Sequence, residues 1–314
     1  MKNSDNNEMY TVLVNSIKTV ISEKKIVQAS KEYRIGKSIC RRKDILTECS
    51  LLNIKNEIAR YLKFKKGKNY SMANPLINER DFGSSNYFSD DRIAIYTCIT
   101  GGYDEIEEPL FMPDNCDFFA ITDFDLPAKS VWKRIDVNSL NCVTDMSDSP
   151  ALINRYFKMF PYKLFPEYKY SVYVDGNIRI CTDMTEYINR ISDIGIGTFC
   201  HAQRECVYEE AKACVAMGKA SKESIERHLE HLNEEGMPRN YGMAQCSVIA
   251  RKHDSAVCVK LMEDWWQEYL NFAKRDQLSL PFVMYKNRLK MEQITTLGSN
   301  VYRSNSFEIK NHRN

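Results

Sequence analysis

The chain has 314 residues, of which 43% are hydrophobic and 27% are charged, which is typical of a globular protein with a sizeable core. The formal net charge is only +2, so overall electrostatics gives no reason to expect nucleic acid as a partner. The 11 cysteines are scattered and form no CxxC pair. This pattern argues against a disulfide framework and a structural zinc site, and it favours a reducing compartment.

Residues 1–68 are predicted to form a helical accessory segment. Leu13, Ile17 and Ile21 recur at helical spacing, and a basic run closes the segment at residues 63–68. We predict helices with a solvated basic face; the alternative is peripheral contact of that face with a membrane or a biosynthetic complex. The start of the chain has no apolar signal core, and no run of about 18 apolar residues follows, so the default prediction is a cytoplasmic protein.

Residues 69–91 are polar and predict a linker, and residues 92–314 predict one α/β domain. In that domain short apolar runs alternate with helical patterns. The predicted strands are residues 93–99, 117–121, 132–137, 170–174, 194–199 and 247–250, and the predicted helices are residues 151–165, 206–219, 222–235 and 255–273. Alternation of strands and helices favours a mainly parallel sheet that is covered on both faces.

Ligands of such sheets bind beyond the carboxyl ends of the strands, so the tripeptide Asp175-Gly176-Asn177 after the strand 170–174 is the first candidate site. We predict that Asp175 is catalytic and that Asp175 and Asn177 hold Mn²⁺ or Mg²⁺ against a diphosphate. The alternative is a plain turn, for which the same tripeptide is well suited. Asn177 supplies no charge, and His201 and His253 are candidates for a further ligand of the metal.

The residues after the first strands predict a nucleotide site. Glycines there let backbone N–H groups approach phosphates, and a tyrosine among them is placed to stack on a base. Two cations three residues apart on the following helix share one face and suit a diphosphate. The predicted donor-binding residues are Thr100, Gly101, Gly102, Tyr103, Asp123, Arg155 and Lys158. Plain tight turns and surface cations are the alternatives. Neither a GxGxxG fingerprint nor a Walker loop is present, which disfavours dinucleotide and NTPase functions.

The acceptor is predicted to bind near a polar segment that follows the strand 194–199. The predicted acceptor-binding residues are His201, Arg204, Glu210 and Gln277. Glu209 and Asp276 are candidate general bases, which an inverting transferase requires. A surface network of these charges is the alternative. Trp265 and Trp266 are predicted to be core residues rather than platforms for sugar rings.

Five blocks in order carry a resemblance to a known family. They are residues 96–104, 173–177, 201–211, 248–253 and 275–279. Over residues 92 to 286 the chain resembles the glycosyltransferase-like domain shared by plant mucilage and turgor-regulation proteins and by bacterial polysaccharide proteins.

The resemblance implies a GT-A-like, Rossmann-related mixed sheet flanked by helices. It also implies hexosyl transfer from a nucleotide sugar to a glycan or cell-surface polysaccharide, with the transfer site near Asp175. Asn177 favours the alternative, a non-catalytic module that binds nucleotide sugars or carbohydrates on the same fold. A nucleotidyltransferase is a further alternative, since such enzymes also place carboxylates at strand ends.

Overall fold

The structure is a computed structural model that describes residues 91–146, 149–192, 194–298, 300–304 and 306–312. The predicted accessory segment, residues 1–68, and nearly all of the predicted linker lie outside the described residues. The predicted contact of the basic face with a membrane or a complex therefore stays a prediction. Within the described residues, every helix is too short or too polar to cross a membrane.

The described residues contain nine strands: β1 Ile93–Ile99, β2 Cys116–Thr122, β3 Lys133–Asp136, β4 Tyr170–Val174, β5 Ile178–Ile180, β6 Ile196–Cys200, β7 Ala244–Lys252, β8 Thr295–Thr296 and β9 Phe307–Ile309. Seven of them form one sheet in the order β3-β2-β1-β4-β7-β6-β8. The other two, β5 and β9, form an antiparallel pair.

Seven helices accompany these strands in the described part of the chain: α1 Pro150–Met159, α2 Pro161–Leu164, α3 Thr185–Ile188, α4 Val207–Ala216, α5 Lys222–Glu234, α6 Ala256–Asn271 and α7 Asp276–Lys286. Short 3-10 turns cover Val137–Ser139, Asn141–Met146, Met291–Gln293 and Val301–Arg303.

The direction of the strands decides where a site can form. β1 runs parallel to β2 and β4, whereas β7 runs antiparallel to its two neighbours, β4 and β6. The carboxyl ends of β1, β2, β4 and β6 therefore share one edge of the sheet with the start of β7. The mixed sheet flanked by helices, expected from the resemblance, is confirmed, and it is less uniformly parallel than alternation alone suggests.

The core lies on both faces of the sheet, and β1 shows why. All seven residues of β1 are buried; Ala94 and Tyr96 pack in the core cluster under α1 and α6, whereas Ile93 and Ile95 pack in the cluster on the opposite face. A strand buried on both sides reads as a continuous apolar run, which explains why the sequence reveals it clearly. Trp265 is fully buried in the first cluster and Trp266 packs against it, as predicted.

Besides the short unpredicted helix α3, two helical regions differ from the prediction, and proline is involved in both. The predicted helix 151–165 divides into α1 and α2 at Pro161, whose ring cannot donate to the carbonyl of Phe157. The hydroxyl of Tyr96 donates to that carbonyl instead, at 3.0 Å. Helix α7 was not predicted, because it contains Pro281 and is buried around most of its surface, so it lacks a polar stripe.

Candidate active site

A cleft of about 810 Å³ opens at the edge of the sheet where β1 and β4 end and β7 begins. Predicted site residues in its lining are Thr100, Gly101, Tyr103, Arg155, Lys158, Asp175, Asn177, Asp276 and Gln277. Lining residues that the sequence analysis missed include Asp104, Lys219, Gln245, Ser247, Arg275, Tyr302 and His312. The loops after β1 and β4, helix α1 and the start of α7 thus converge on one cavity.

A buried ion cluster forms the inner wall of this cleft. The ammonium nitrogen of Lys158, with its side chain 1% exposed, lies 2.7 Å from Asp276 Oδ2 and 3.3 Å from Asp175 Oδ1. Arg155 Nε lies 3.3 Å from the same Asp276 oxygen. Arg155 and Lys158 are three residues apart, so α1 presents both on one face, as the helical spacing predicts.

The charge state of Asp276 argues against its predicted role as a general base. Burial alone would raise the pKa of this carboxyl, but the charges of Arg155, Lys158 and Arg275 more than offset burial and hold the pKa well below its usual range. A carboxylate with so low a pKa is a weak base. Asp276 instead serves as the counter-ion that fixes the two cations of α1, and the indole N–H of Trp265 donates to its carbonyl at 3.0 Å.

The Asp175-Gly176-Asn177 tripeptide is both a turn and part of the cleft. The Ile178 N–H donates to the Asp175 carbonyl, which closes the turn between β4 and β5. A Cβ atom on Gly176 would lie 2.6 Å from Ile99 Cγ1, so the turn can approach β1 only with glycine at this position. The Asp175 side chain is 30% exposed and stays open to the cleft.

The residues of this turn do not fit a Mn²⁺ or Mg²⁺ site of their own. Asp175 faces the Lys158 ammonium, and the Asn177 side-chain amide donates to the Lys310 carbonyl at 3.0 Å. Among the described residues, no group of three or more His, Cys, Asp or Glu side chains is placed to hold a metal ion. His253 lies near the start of β4, 2.8 Å from the hydroxyl oxygen of Ser171, and therefore belongs to the opposite edge of the sheet.

The loop after β1 forms the outer end of the cleft. Gly101 and Gly102 both have left-handed φ values, +66° and +64°, which glycine adopts without strain. The Gly101 N–H donates to Asp123 Oδ2 at 2.8 Å. Asp123 and Gly102 are exposed beside the cleft and are not in its lining. Through the hydrogen bond from Gly101, Asp123 fixes the backbone of the loop that was predicted to bind the donor. Thr100 donates its hydroxyl to the Pro150 carbonyl, which joins the loop to α1.

Tyr103 presents an open aromatic face at the mouth of the cleft. Its side chain is 52% exposed, and its ring centroid lies 4.8 Å from that of His312. His312 Nδ1 in turn lies 2.9 Å from Asp104 Oδ1. No local pattern indicates His312, because it comes from the far end of the chain.

The predicted acceptor residues form a separate network. Arg204 Nη1 lies 2.6 Å from Glu210 Oε2, and His201 Nε2 lies 3.6 Å from the same oxygen. Burial lowers the pKa of His201, although the charge of Glu210 opposes this. The three side chains contact one another and are not in the cleft lining, and Glu209 is exposed on the first turn of α4, also outside it. The roles of His201, Arg204 and Glu210 in acceptor binding and of Glu209 as base therefore stay predictions, at a place outside the lining of this cleft.

Strand β7 supplies two missed residues, Gln245 and Ser247. The sequence analysis began this strand at Ser247, whereas the structure begins it at Ala244. Polar residues at 245 and 247 alternate with apolar Ala244 and Cys246, so period-2 patterning was the signal that would have extended the strand.

The model of the TOD1/MUCI70, glycosyltransferase-like domain family matches residues 129–312, a range that contains β4, β7 and α7 but not the loop after β1. The chain is 26% identical over 169 residues to the "Probable hexosyltransferase MUCI70" of Arabidopsis thaliana, covering 50% of this chain and 29% of that protein. The chain thus spans less than a third of the length of this relative.

Two solved structures show a weaker similarity. The apo structure of the bifunctional glycosyltransferase WbbM aligns with a TM-score of 0.38 and 12% identity, over 67% of this chain and 39% of that one. Apo mouse xyloside xylosyltransferase 1 aligns with a TM-score of 0.37 and 9% identity, over 65% of this chain and 83% of that one. Because the family match covers more than half of its residues, the chain belongs to the TOD1/MUCI70 glycosyltransferase-like domain family.

Proposed function

We propose that the chain is a glycosyltransferase that moves a hexosyl group from a nucleoside diphosphate sugar to a hydroxyl group of a glycan. The observation that carries this proposal is the buried ion cluster of Lys158, Arg155, Asp175 and Asp276 in a cleft at the carboxyl edge of the sheet. Membership of the glycosyltransferase-like family supports glycosyl transfer. The name of the Arabidopsis relative, a probable hexosyltransferase, supports transfer of a hexosyl group.

The charge of the cleft suits a diphosphate. Its lining carries four cationic side chains, Arg155, Lys158, Lys219 and Arg275, against the carboxylates of Asp104, Asp175 and Asp276. A diphosphate brings negative charge, and a cleft with low-dielectric walls strengthens its attraction to these cations. The glycine loop after β1 and the open face of Tyr103 suit the nucleoside at the outer end.

The catalytic contribution is electrostatic. Negative charge develops on the diphosphate as the glycosidic bond to the donor breaks, and Lys158 is already held in place by two carboxylates. A cation that needs no reorganisation at the moment of reaction stabilises such charge strongly. Asp175, which is partly exposed, orients Lys158 and accepts hydrogen bonds from hydroxyl groups of the donor. In this scheme the cations of the cleft stabilise the departing diphosphate, and the turn supplies one carboxylate, that of Asp175.

The test begins with a thermal-shift screen of UDP, GDP, CMP and dTDP sugars. A donor at a hundredfold excess over its Kd should stabilise the protein by about 2.7 kcal/mol. Hydrolysis of that donor and transfer to a panel of glycans are then measured for the wild type and for Lys158→Gln. We expect the rate to fall on the order of 100-fold, the usual effect of losing one such group.

The control is Lys260→Gln, which makes the same substitution on an exposed side chain of α6 that pairs with Asp264. This variant should keep the wild-type rate. Equal rates for Lys158→Gln and the wild type would contradict the proposal.

The second candidate is a non-catalytic module that binds nucleotide sugars. The hydrogen bond from the Asn177 amide to the Lys310 carbonyl favours it. This bond ties Asn177 to the chain after β9, so the turn lacks the second metal ligand that was predicted for an enzyme. Donor binding without hydrolysis, and without transfer to any glycan of the panel, would favour the module over the enzyme.

A further inference from the structure

We propose that Gln245 and Ser247 form the subsite that recognises hydroxyl groups of the transferred sugar, and that this sugar is a neutral hexose. The inference rests on the proposed function and names a part of the site that the motifs did not reveal. Both residues lie on β7 and line the cleft.

Both side chains hold buried polar atoms that lack a hydrogen bond. Gln245 is 8% exposed and Ser247 is 7% exposed, and neither Gln245 Oε1 nor Ser247 Oγ has a partner among the described residues. Buried polar atoms are nearly always paired, because leaving them unpaired is costly. Because both residues line the cleft, a ligand in the cleft is the partner that we assign to these atoms.

The rest of the Gln245 residue is fixed by neighbours. Its Nε2 donates to the hydroxyl oxygen of Tyr302 at 3.1 Å, and its backbone carbonyl accepts a hydrogen bond from Gln277 Nε2 at 2.7 Å. One N–H of the amide is therefore engaged, whereas Oε1 has no hydrogen-bond partner among the described residues. A ligand group that contacts Oε1 has to donate a hydrogen bond. A sugar hydroxyl can do so, whereas an ionised carboxylate cannot.

The backbone between the two residues is bent to present them. Cys246 has a left-handed φ of +59°, which is uncommon for a residue with a side chain. The face of the strand changes there, because Cys246 packs in the core cluster under α1 whereas Val248 packs in the cluster on the other face. The pairing with β6 is irregular at the same place. Backbone strain of this kind clusters at ligand sites.

The position of the pair assigns it to the sugar rather than to the nucleotide. The Ser247 carbonyl accepts a hydrogen bond from the Asp175 N–H at 2.9 Å, and Gln245 is joined to Gln277, the neighbour of Asp276. Gln245 and Ser247 therefore lie next to the chain segments that carry Asp175 and Asp276, the two partners of Lys158. In the proposed function the transferred sugar is attached to a diphosphate held beside the cations of α1, so it occupies this part of the cleft.

The test is a cycle that combines protein variants with altered donors. For the donor that the wild type uses, monodeoxy and monofluoro analogues are compared by kcat/KM. A site built to bind a hydroxyl rejects the analogue that lacks it by a factor on the order of 10⁴. We expect one ring position to show such a loss in the wild type, and Gln245→Leu to use the parent donor poorly and to lose sensitivity to that position.

Ser247→Ala should likewise lose sensitivity, at a different ring position. Ser171→Ala is the matched control, because Ser171 is a fully buried serine on β4 that contacts His253 outside the cleft. It should keep the full sensitivity of the wild type. If Gln245→Leu does not fold, Gln245→Glu is used with a donor that carries a carboxylate, which this variant should reject more strongly than the wild type does.

Sensitivity that is unchanged in both the Gln245 and the Ser247 variants would overturn the inference. The same holds if the wild type prefers a uronic acid donor to the neutral hexose. If the wild type binds donors without turning them over, the transferase proposal fails. The same cycle is then measured as Kd values, and the loss of sensitivity in binding decides whether the subsite is correct. If no nucleotide sugar binds, both proposals fail.

Discussion

At the residue scale, the Lys158 ammonium is the central charge of the cleft. It is nearly inaccessible to water, and its two carboxylate partners differ in burial: Asp276 is enclosed, whereas Asp175 is 30% exposed. Removing one partner of a buried ion pair leaves an uncompensated charge, whereas an exposed partner is replaced by water. The two aspartates therefore have separable roles, one in stability and one in ligand binding.

Asp276→Asn should lower the free energy of unfolding by about 3 kcal/mol, since Lys158 and Arg155 lose their shared counter-ion. Asp175→Asn should change it by less than about 1 kcal/mol, because water reaches this side chain, but should reduce donor hydrolysis strongly. Urea denaturation and hydrolysis rates of the two variants check this pair. Equal destabilisation by both substitutions would contradict the assignment.

Mn²⁺ or Mg²⁺ alone should not stabilise the protein. Asp175 faces an ammonium group and Asn177 is bonded to Lys310, so these residues offer an ion one contested carboxylate. Thermal melts with each ion, without nucleotide, should match melts in EDTA to within about 1 °C, which corresponds to a few tenths of a kcal/mol. A clear rise in Tm with the ion alone would show that the turn binds metal by itself.

Sequence reasoning found the residues of the cleft that local spacing reveals. Arg155 and Lys158 follow from helical spacing, and Asp175 follows from its place after a buried strand. His312 and Lys219 lie far along the chain from their neighbours in the cleft, so no local pattern indicates them. His201 follows β6 at the same edge of the sheet, where it pairs with Glu210 outside the lining of the cleft.

At the scale of elements, β1, β2 and β4 were predictable because strands buried on both faces are continuous apolar runs. β5, β8 and β9 have two or three residues each, too few for any period to show. Helix α7 combines an internal proline with burial on most sides, and both features hide a helix from periodicity. The start of β7 was missed although polar Gln245 and Ser247 alternate with apolar Ala244 and Cys246, whereas its later part is a continuous apolar run that shows a strand directly.

The turn between β4 and β5 should be far less tolerant of a side chain than the loop after β1. Gly176→Ala places a Cβ 2.6 Å from Ile99 Cγ1, so the turn must move. We expect a loss of about 1–3 kcal/mol in stability, as for overpacked cores, together with weaker donor binding because Asp175 moves too.

Gly102→Ala is the control for this substitution. A Cβ atom at position 102 would meet no atom within 4 Å. The only cost of the substitution is the left-handed φ of +64°, which is about 1 kcal/mol for alanine. Denaturation and calorimetric titration with the donor measure both effects. A larger loss in Gly102→Ala than in Gly176→Ala would contradict this explanation of the turn.

At the scale of the whole molecule, stability should decline as the pH falls below about 6.5, the usual histidine pKa. Burial lowers the pKa of His253 to about 4, with help from the charge of Arg251, and burial also lowers the pKa of His201. Between pH 6.5 and 4 the unfolded chain binds more protons than the folded protein, so protonation favours unfolding. The stabilisation is complete above this range and is lost progressively within it.

From pH 7 to pH 5 we expect the free energy of unfolding to fall by about 2 kcal/mol through His253. His253→Gln removes this titration and should flatten the dependence on pH, while its free energy at pH 7 also drops because the contact with Ser171 changes. Urea denaturation at several pH values measures the slope. A slope in His253→Gln equal to that of the wild type would show that other groups are responsible.

The place of β7 in the sheet has a consequence for how the protein is made. β7 is flanked by β4 and β6, and both of these strands precede it in the chain. While the ribosome is still extending the chain toward residue 244, both strands have unpaired backbone groups along the side that β7 will occupy. Open edges of this kind invite pairing with other nascent chains. Protection by chaperones therefore matters most in the interval between synthesis of β6 and the arrival of β7.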